Sequence, residues 1–220
     1  MKARTVFLVL LTAGVVGTAA WLVFFSPVLG VRSVEIVGNV TLHADTIRKT
    51  AGVPELHPLA TVNLADVQTR VQSIRQVASA RVDRVWPATL KIEVVEREPV
   101  AQIPAGDKVA LIDRLGMVIE LDEVAPPMLP VLRVARPAMG DPATMAALGV
   151  IVGLPGELAG RVRQVSATTA EDVTMTLSDG RTIIWGGVDR PEAKAHILKT
   201  LLRRKGEVYD VSSPEVVTLK

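Results

Sequence analysis

Hydrophobic residues form one uninterrupted run near the start of the chain. Residues 6–25 contain no charged side chain, and Thr12 and Thr18 carry the only hydroxyl groups. A helix of this length rises about 30 Å, which matches the hydrocarbon thickness of a bilayer. Trp21 and two phenylalanines gather at the far end of the run, where aromatic rings favour the headgroup level. The pattern predicts a transmembrane helix over residues 5–25.

The flanks of this run predict its orientation. Lys2 and Arg4 precede it, so residues 1–4 are expected to be a short cytoplasmic tail, with the rest of the chain outside. A cleaved signal peptide is an alternative, because residues 18–20 are small. Signal peptides usually have shorter apolar regions, whereas this run continues through residues 21–25. A buried helix of a soluble protein is the third interpretation.

After residue 30, segments in which every second residue is apolar are interspersed with segments in which apolar residues recur every three to four positions. Leu90, Ile92 and Val94 are expected to share one strand face, and so are Ala78, Ala80 and Val82. The predicted order is β-α-α-β-β, with two helices covering one face of a small sheet. The predicted elements are a strand at 31–38, helices at 44–51 and 64–74, and strands at 78–86 and 89–97.

The second half of the chain is rich in short strands, which gives an α+β fold class overall. Asp141-Pro142 is a typical helix start, and Asp179-Gly180 is a strong hairpin signal. Pro126, Pro127 and Pro130 predict an exposed loop. The predicted helices are at 143–152 and 190–204, and Arg203, Arg204 and Lys205 are expected at the end of the second one. The predicted strands are a hairpin at 109–121 and strands at 131–134, 162–169, 172–178, 181–185, 207–211 and 216–219.

Composition and charge argue against a nucleic-acid-binding protein and against a domain stabilised by disulfides. The chain has 25 lysine and arginine residues against 23 aspartate and glutamate residues, a net charge of +2, and the two signs are interleaved. This pattern does not predict nucleic-acid binding. There is no cysteine, so a domain outside the cytoplasm must be stable without disulfides, as in a bacterial envelope protein.

The sequence contains no pattern that predicts catalysis. His43, His57 and His196 are far apart and lack the spacing of metal ligands. Phosphate-binding glycine loops and the common hydrolase motifs are missing from the sequence. We therefore expect no enzyme, no cofactor and no metal. An envelope enzyme remains an alternative, as does a membrane-anchored adaptor with a different partner.

Two segments carry a resemblance to a known family. Segment 32–39, followed by helices and then by segment 86–101, resembles the POTRA domain of the FtsQ/DivIB bacterial cell-division proteins. The Trp86-Pro87 turn and the strand after it are the most distinctive part. The resemblance covers essentially the whole chain. It implies a tail at 1–4, a transmembrane helix at 5–25, a POTRA domain at 26–99 and a β domain at 100–220.

The resemblance also implies a function and partners. In this family the C-terminal strand region of the β domain receives FtsB, which pairs with FtsL, and the scaffold links early and late division proteins at the septum. The implied location is the inner membrane, with a single span. POTRA contacts with septal wall synthases are a further expectation. The implied partner-binding residues are Tyr209, Val211, Ser213, Glu215, Val217 and Leu219.

The matching region departs from the family pattern at one point. Many relatives continue the aspartate with leucine and arginine, whereas Val211-Ser212-Ser213-Pro214 follows Asp210 here. Proline lacks the N–H that a strand ladder needs. Pairing with an added strand is therefore expected to avoid Pro214. A simpler interpretation is that residues 207–219 only complete the sheet of this chain.

Overall fold

The chain divides into two units, each with its own sheet. The computed structural model describes residues 2–122, 128–213 and 218–219. The units comprise Met1–Arg97 and Glu98–Lys220. Both combine helices with β-sheet, so the α+β class and the N-terminal apolar helix are confirmed.

The N-terminal helix α1 spans Lys2–Phe25. Its apolar part, Ala3–Phe25, has a mean hydropathy of 2.3 and is not buried within the chain, so it is long and apolar enough to cross a membrane. The hydroxyl groups of Thr12 and Thr18 donate hydrogen bonds to carbonyl oxygens four residues earlier, at 2.8 and 2.9 Å. The two hydroxyl groups therefore find their hydrogen-bond acceptors within the helix, which is what a lipid environment would require of polar groups.

The first unit has the predicted β-α-α-β-β order. Its three-stranded sheet has the order β1-β3-β2, in which β1 runs parallel to β3 and β2 runs antiparallel to it. The elements are the 3₁₀ helix Pro27–Leu29, β1 (Ser33–Val37), α2 (Ala44–Ala51), the 3₁₀ helix Leu59–Thr61, α3 (Leu64–Gln72), β2 (Val77–Val85) and β3 (Thr89–Glu96).

The buried face of β2 differs from the prediction at one residue. Leu90, Ile92 and Val94 of β3 are buried as expected. In β2, however, Ala78 is exposed and Val77 takes the buried position. A β-bulge between residues 77 and 79 shifts the alternation by one residue, so a strict period of two fails there.

Glu96, at the end of β3, holds the loop between β1 and α2. Its carboxylate accepts backbone hydrogen bonds from Val40 at 2.7 Å, Thr41 at 3.0 Å and Leu42 at 2.9 Å, and another from the Thr41 hydroxyl. Partial burial raises the pKa of Glu96, but the bonds from the Thr41 hydroxyl and the three N–H groups outweigh it and lower the pKa to about 2.

The second unit contains a nine-stranded sheet with the order β12-β11-β10-β9-β8-β7-β4-β5-β6. Its elements are β4 (Pro99–Ala105), β5 (Lys108–Asp113), β6 (Val118–Asp122), β7 (Val131–Arg133), α4 (Pro142–Gly153), α5 (Gly156–Ala159), β8 (Val162–Ala167), β9 (Val173–Leu177), β10 (Thr182–Gly186), α6 (Pro191–Leu201), β11 (Val208–Asp210) and β12 (Thr218–Leu219).

Two features near β4 differ from the predictions. The sequence analysis predicted no strand at 99–105, where β4 contains two prolines, Pro99 and Pro104. Both prolines lie near the strand ends, where a missing N–H is tolerated. Pro130 is buried rather than exposed, and its carbonyl accepts a hydrogen bond from the Gln102 N–H at 3.0 Å, so this end of the predicted loop lies beside β4. The other two prolines of that predicted loop lie outside the described residues.

The helices contribute to a single apolar core with the sheet. Asp141 caps α4 by accepting the Thr144 N–H at 2.8 Å, as its position predicts. The core includes Leu148 and Val150 of α4, Leu198 and Leu201 of α6, and the inward side chains of strands β8 to β11.

Helix α6 ends earlier than predicted. It stops at Leu201, so Arg203, Arg204 and Lys205 lie beyond its last turn rather than in it. The Arg204 N–H bonds to the Leu201 carbonyl three residues back, at 2.8 Å, which is the tighter 3₁₀ pattern. The chain then turns into β11.

Candidate partner-binding edge

The nine-stranded sheet ends at its C-terminal side with β12. Strand β11 lies between β10, to which it is parallel, and β12, to which it is antiparallel. Tyr209 is opposite Leu219, and Asp210 is opposite Thr218. Both sides of β11 are therefore paired. Among the described strands, β12 is the one whose outward backbone groups an added strand could meet at this end.

Tyr209 fixes the start of β11. Its side chain is completely buried, and its hydroxyl lies 2.8 Å from the Arg204 carbonyl oxygen and 3.0 Å from that of Gly206. A tyrosine hydroxyl has one proton, so the two carbonyls share it. Tyr209 thus ties the turn after α6 to the strand that supports the edge.

Arg181 extends this connection to the hairpin between β9 and β10. It lies over the Tyr209 ring at 5.7 Å and donates to the Leu202 carbonyl at 3.0 Å. Its Nε and Nη2 atoms donate to Asp179 at 2.9 and 2.6 Å. The hydrogen bonds from Arg181 hold the pKa of the Asp179 carboxyl well below its ordinary value. Arg161 adds a second contact to Asp179, at 3.1 Å.

The far end of β11 is held against β10. The N–H of Val211 donates to the Ile184 carbonyl at 2.9 Å, and the Val211 side chain is buried. Asp210 accepts hydrogen bonds from the Ser212 N–H at 3.0 Å and the Ser212 hydroxyl at 2.7 Å. Gly186 has a φ of +75°, and a Cβ there would lie 2.8 Å from the Ser212 Cβ. Glycine permits this close approach of the two segments.

A buried lysine holds the loop that follows β10. Lys194 of α6 is 0% exposed, and its ammonium donates to the Gly187 carbonyl at 2.9 Å and to Asp189 at 3.0 Å. The same ammonium lies 5.9 Å from the centre of the Trp185 ring. The hydrogen bond from Lys194 is the main reason that the pKa of Asp189 is lowered. This lysine supplies the positive charge that anchors the 186–190 loop.

Sequence reasoning missed Lys194, although a signal was present. A lysine in an amphipathic helix ordinarily points to solvent. Lys194, however, is four residues before Leu198 and seven before Leu201, so it lies on the buried stripe of α6. The periodicity of the helix could therefore have identified it.

The outer face of the sheet next to this edge is mainly uncharged, with Arg133 and Asp210 at the two ends of one row. Its cross-strand rows are set by the observed register. One row contains Val131, Gln164, Thr176, Thr182 and Val208. The second contains Arg133, Ser166, Thr174, Ile184 and Asp210. Most of these side chains are half-buried by their neighbours. A strand added beside β12 would extend both the core-facing side and this mainly uncharged side.

The six predicted partner-binding residues have different positions. Tyr209 and Val211 are enclosed by the core, so their own role in the structure is to hold β11. Ser213 is exposed, and Leu219 lies in β12. Glu215 and Val217 lie outside the described residues. Contact of these six residues with a partner stays a prediction.

The described residues contain no group of three histidine, cysteine, aspartate or glutamate side chains that could hold a metal ion. The arrangement at the edge is one of backbone ladder groups and fixed turns. Such an arrangement suits recognition of an extended segment.

Comparisons with known proteins match both units. Residues 29–97 match the family model described as POTRA domain, FtsQ-type. Residues 101–217 match the model described as Cell division protein FtsQ/DivIB, C-terminal. The curated Cell division protein FtsQ of Mycobacteroides abscessus is 39% identical over 217 residues, which covers 99% of this chain and 70% of that protein.

Two further similarities were found. The Cell division protein FtsQ of Mycobacterium tuberculosis is 39% identical over 221 residues, covering 100% of this chain and 69% of that protein. The solved extracytoplasmic domain of the cell division protein DivIB from Geobacillus stearothermophilus is 18% identical, with a TM-score of 0.36. That match covers 50% of this chain and 98% of that one.

Proposed function

The chain belongs to the FtsQ/DivIB family of cell division proteins, and we propose that it acts as a scaffold that recruits FtsB and FtsL to the division site. The resemblance inferred from the sequence is confirmed by both family models and by the curated relatives. A role in cell division follows from the family. The partners, the septal position and the topology are the proposed part.

The observation that carries the proposal is the end of the nine-stranded sheet. Strand β12 lies outermost there, and β11 beneath it is held by Tyr209, Arg181 and the Val211 backbone bond to β10. A rigid sheet end gives an incoming strand a ladder already in place, so less ordering entropy is lost on binding. FtsB is proposed to add its strand beside β12, and FtsL to arrive paired with FtsB.

The proposed topology places α1 in the inner membrane. The N-terminus is cytoplasmic, and the POTRA and β domains are on the other side, at the septum. The length and hydropathy of α1 support a single span. The proposal gives the chain no catalytic step.

The POTRA domain is proposed to contact septal wall synthases. Its end farthest from the Trp86 turn exposes three valines, Val37, Val40 and Val95. Val40 is 86% exposed although its backbone is held by Glu96, so the loop presents it in a fixed position. A fixed apolar patch of this kind suits contact with another protein.

The proposal is tested by capture of the FtsB–FtsL pair with the full chain in detergent. Leu219→Pro places a proline in β12 and is expected to reduce binding at least tenfold, because proline disrupts ladder pairing. Glu120→Pro is the matched control, since it alters β6 at the opposite end of the same sheet. Thermal unfolding of both variants checks that the second unit, whose core includes the buried Trp185, stays folded.

The outcomes separate the partner from the site. If Leu219→Pro binds as well as the parent, the β12 edge is refuted while the partner assignment stands. If the folded parent does not capture FtsB–FtsL, the recruitment proposal is refuted.

A further inference from the structure

Three backbone segments meet at one end of the POTRA domain. The Leu56 N–H donates to the Val31 carbonyl, and the Val31 N–H donates to the His57 carbonyl, both at 2.9 Å. The Arg32 N–H donates to the Ala88 carbonyl at 2.8 Å. The chain entering from α1, the loop around residue 56 and the turn around Trp86 therefore form one surface, called here the proximal end.

The proximal end is tethered close to the last residue of α1. Helix α1 ends at Phe25, and five residues, or six Cα–Cα steps, lie between it and Val31. At 3.3–3.6 Å per residue, a fully extended chain spans about 20 Å over that interval. The real path is shorter, because Pro27–Leu29 is a 3₁₀ helix and Ser26 is buried. Helix α1 also contacts the 3₁₀ helix Leu59–Thr61.

This end exposes large apolar side chains. Trp86 and Leu56 are each 51% exposed, and Val28 is 58% exposed. They come from three separate segments that the backbone bonds bring together. Tryptophan has an apolar ring with one N–H donor, and it is enriched at membrane interfaces for that reason.

The backbone holds Leu56 outward at an energetic cost. Its φ is +60°, a left-handed conformation that is uncommon for a residue other than glycine, asparagine or aspartate. The Leu56 backbone also passes close to Gly30, where a Cβ would lie 2.4 Å from the Leu56 carbonyl oxygen. Asparagine would suit the backbone better in water. An exposed leucine at this position would gain free energy from an apolar neighbour.

The exposed charges next to these side chains are balanced, and the nearby half-buried Arg84 donates hydrogen bonds to the Leu59 and Val62 carbonyls. Arg32 and Glu55 are both exposed, and Arg32 donates to the Val28 carbonyl at 3.4 Å. A balanced surface of this kind does not select for anionic lipid. Apolar burial rather than charge would therefore drive its contact with a bilayer.

We propose that Val28, Leu56 and Trp86 rest in the headgroup region of the same bilayer that holds α1. This inference rests on the proposed membrane span of α1, with which the surface is continuous along the chain. The contact would restrict tilting of the POTRA domain about residues 26–30. The domain would then present its valine-bearing end at a fixed height above the membrane.

The test uses the full chain labelled with 5-fluorotryptophan in phosphatidylcholine nanodiscs. The chain has three tryptophans, Trp21 in α1, Trp86 at the proximal end and Trp185 in the second unit. Lipid with a nitroxide near the headgroup broadens the resonance of any tryptophan at that depth. We expect Trp21 and Trp86 to broaden and Trp185, which is 1% exposed, to stay sharp.

The result has distinct consequences for the two proposals. If Trp21 does not broaden, the membrane span of α1 is refuted, and with it this inference. If Trp21 broadens and Trp86 does not, only the proximal-end contact is overturned, and the surface is left for a protein partner. Equal broadening of Trp86 and Trp185 also overturns it, because that result would be nonspecific.

A matched pair of variants checks the role of the apolar side chain. Leu56→Asn keeps a residue that accepts a positive φ and removes the apolar contact. It is expected to reduce the broadening of Trp86 at least twofold. Val40→Asn changes an 86% exposed valine at the opposite end of the domain and is expected to leave the broadening unchanged. Unchanged broadening in Leu56→Asn would contradict the proposal.

Discussion

Replacement of Glu96 by glutamine tests whether one carboxylate organises the POTRA domain. The parent carboxylate accepts bonds from the backbone of Val40, Thr41 and Leu42, and from the Thr41 hydroxyl. Glutamine keeps the shape and one acceptor oxygen. Its amide group, however, puts N–H donors where the protein already supplies donors.

The magnitude follows from the pKa of Glu96. It falls from an ordinary value of 4.5 to about 2, a difference of about 2.5 units. At 1.36 kcal/mol per unit this corresponds to about 3 kcal/mol as an upper bound. Glu96 is partly solvated, and solvent screening reduces the figure. The expected loss of unfolding free energy at pH 7 is about 2 kcal/mol.

The same shift predicts the pH dependence. The pKa of Glu96 is lower in the folded state than in the unfolded state, so the ionised carboxylate stabilises the fold. This stabilisation is fully present above pH 4.5 and is lost progressively as the pH falls toward about 2. The slope in that range is expected to be shallower in Glu96→Gln than in the parent.

Nuclear magnetic resonance of residues 26–220 measures both quantities. Hydrogen exchange of the Ile92 amide, in the central strand of the POTRA sheet, reports the unfolding free energy of that unit. The amide shifts of residues 40–42 report the titration of Glu96. Glu93→Gln is the control, because Glu93 is on the same strand and its 2.5 Å ion pair with Lys91 is partly exposed to solvent. It should change stability by less than about 0.5 kcal/mol. A titration midpoint near 4.5, or equal effects of the two variants, would refute the reasoning.

Three further predictions concern single positions in the two units. Ala80→Asp should destabilise the POTRA domain by at least about 3 kcal/mol, because Ala80 is buried, and Ala78→Asp by less than about 1 kcal/mol, because the bulge leaves Ala78 exposed. Urea unfolding measures both changes. Gly186→Ala should cost about 2 kcal/mol more than Gly180→Ala in the same assay, because both have positive φ but only Gly186 lacks space for a Cβ. Lys194→Met should raise the pKa of the neighbouring Asp189 carboxyl toward its ordinary value, seen by carboxyl resonance titration, because it removes the main hydrogen bond that lowers it.

The sequence predicted elements well where periodicity and end signals agreed. Asp141 at the start of α4 and the Asp179-Gly180 turn are local signals, and the structure confirms the helix and the hairpin. The bulge in β2 could not be predicted, because an extra residue in a ladder depends on the partner strand. Strand β4 was not predicted, and whether a strand tolerates prolines such as Pro99 and Pro104 depends on their position in the sheet.

The candidate site was predictable only in part. Because side chains alternate along a strand, Tyr209, Val211 and Ser213 are expected on the same face of the sheet. The alternation does not show whether that face is turned to the core or to solvent. The apolar character of the first two was a usable signal, since the structure places both in the core. The ties from Arg181 and Lys194 depend on contacts between distant segments, which one sequence does not reveal.

The chain of contacts from Asp179 through Arg181 to Tyr209 has a consequence for genetics. Asp179 is at a hairpin tip, yet Arg181 connects it to the Leu202 carbonyl and the Tyr209 ring. A division-defective allele at residue 179 or 181 would then act by loosening β11, without the altered side chain ever meeting a partner. Suppressors of such alleles would be expected among substitutions that stiffen the turn after α6. Under the proposed recruitment by strand addition, inhibitors that bind this turn would weaken partner binding, as would inhibitors that bind the β12 edge.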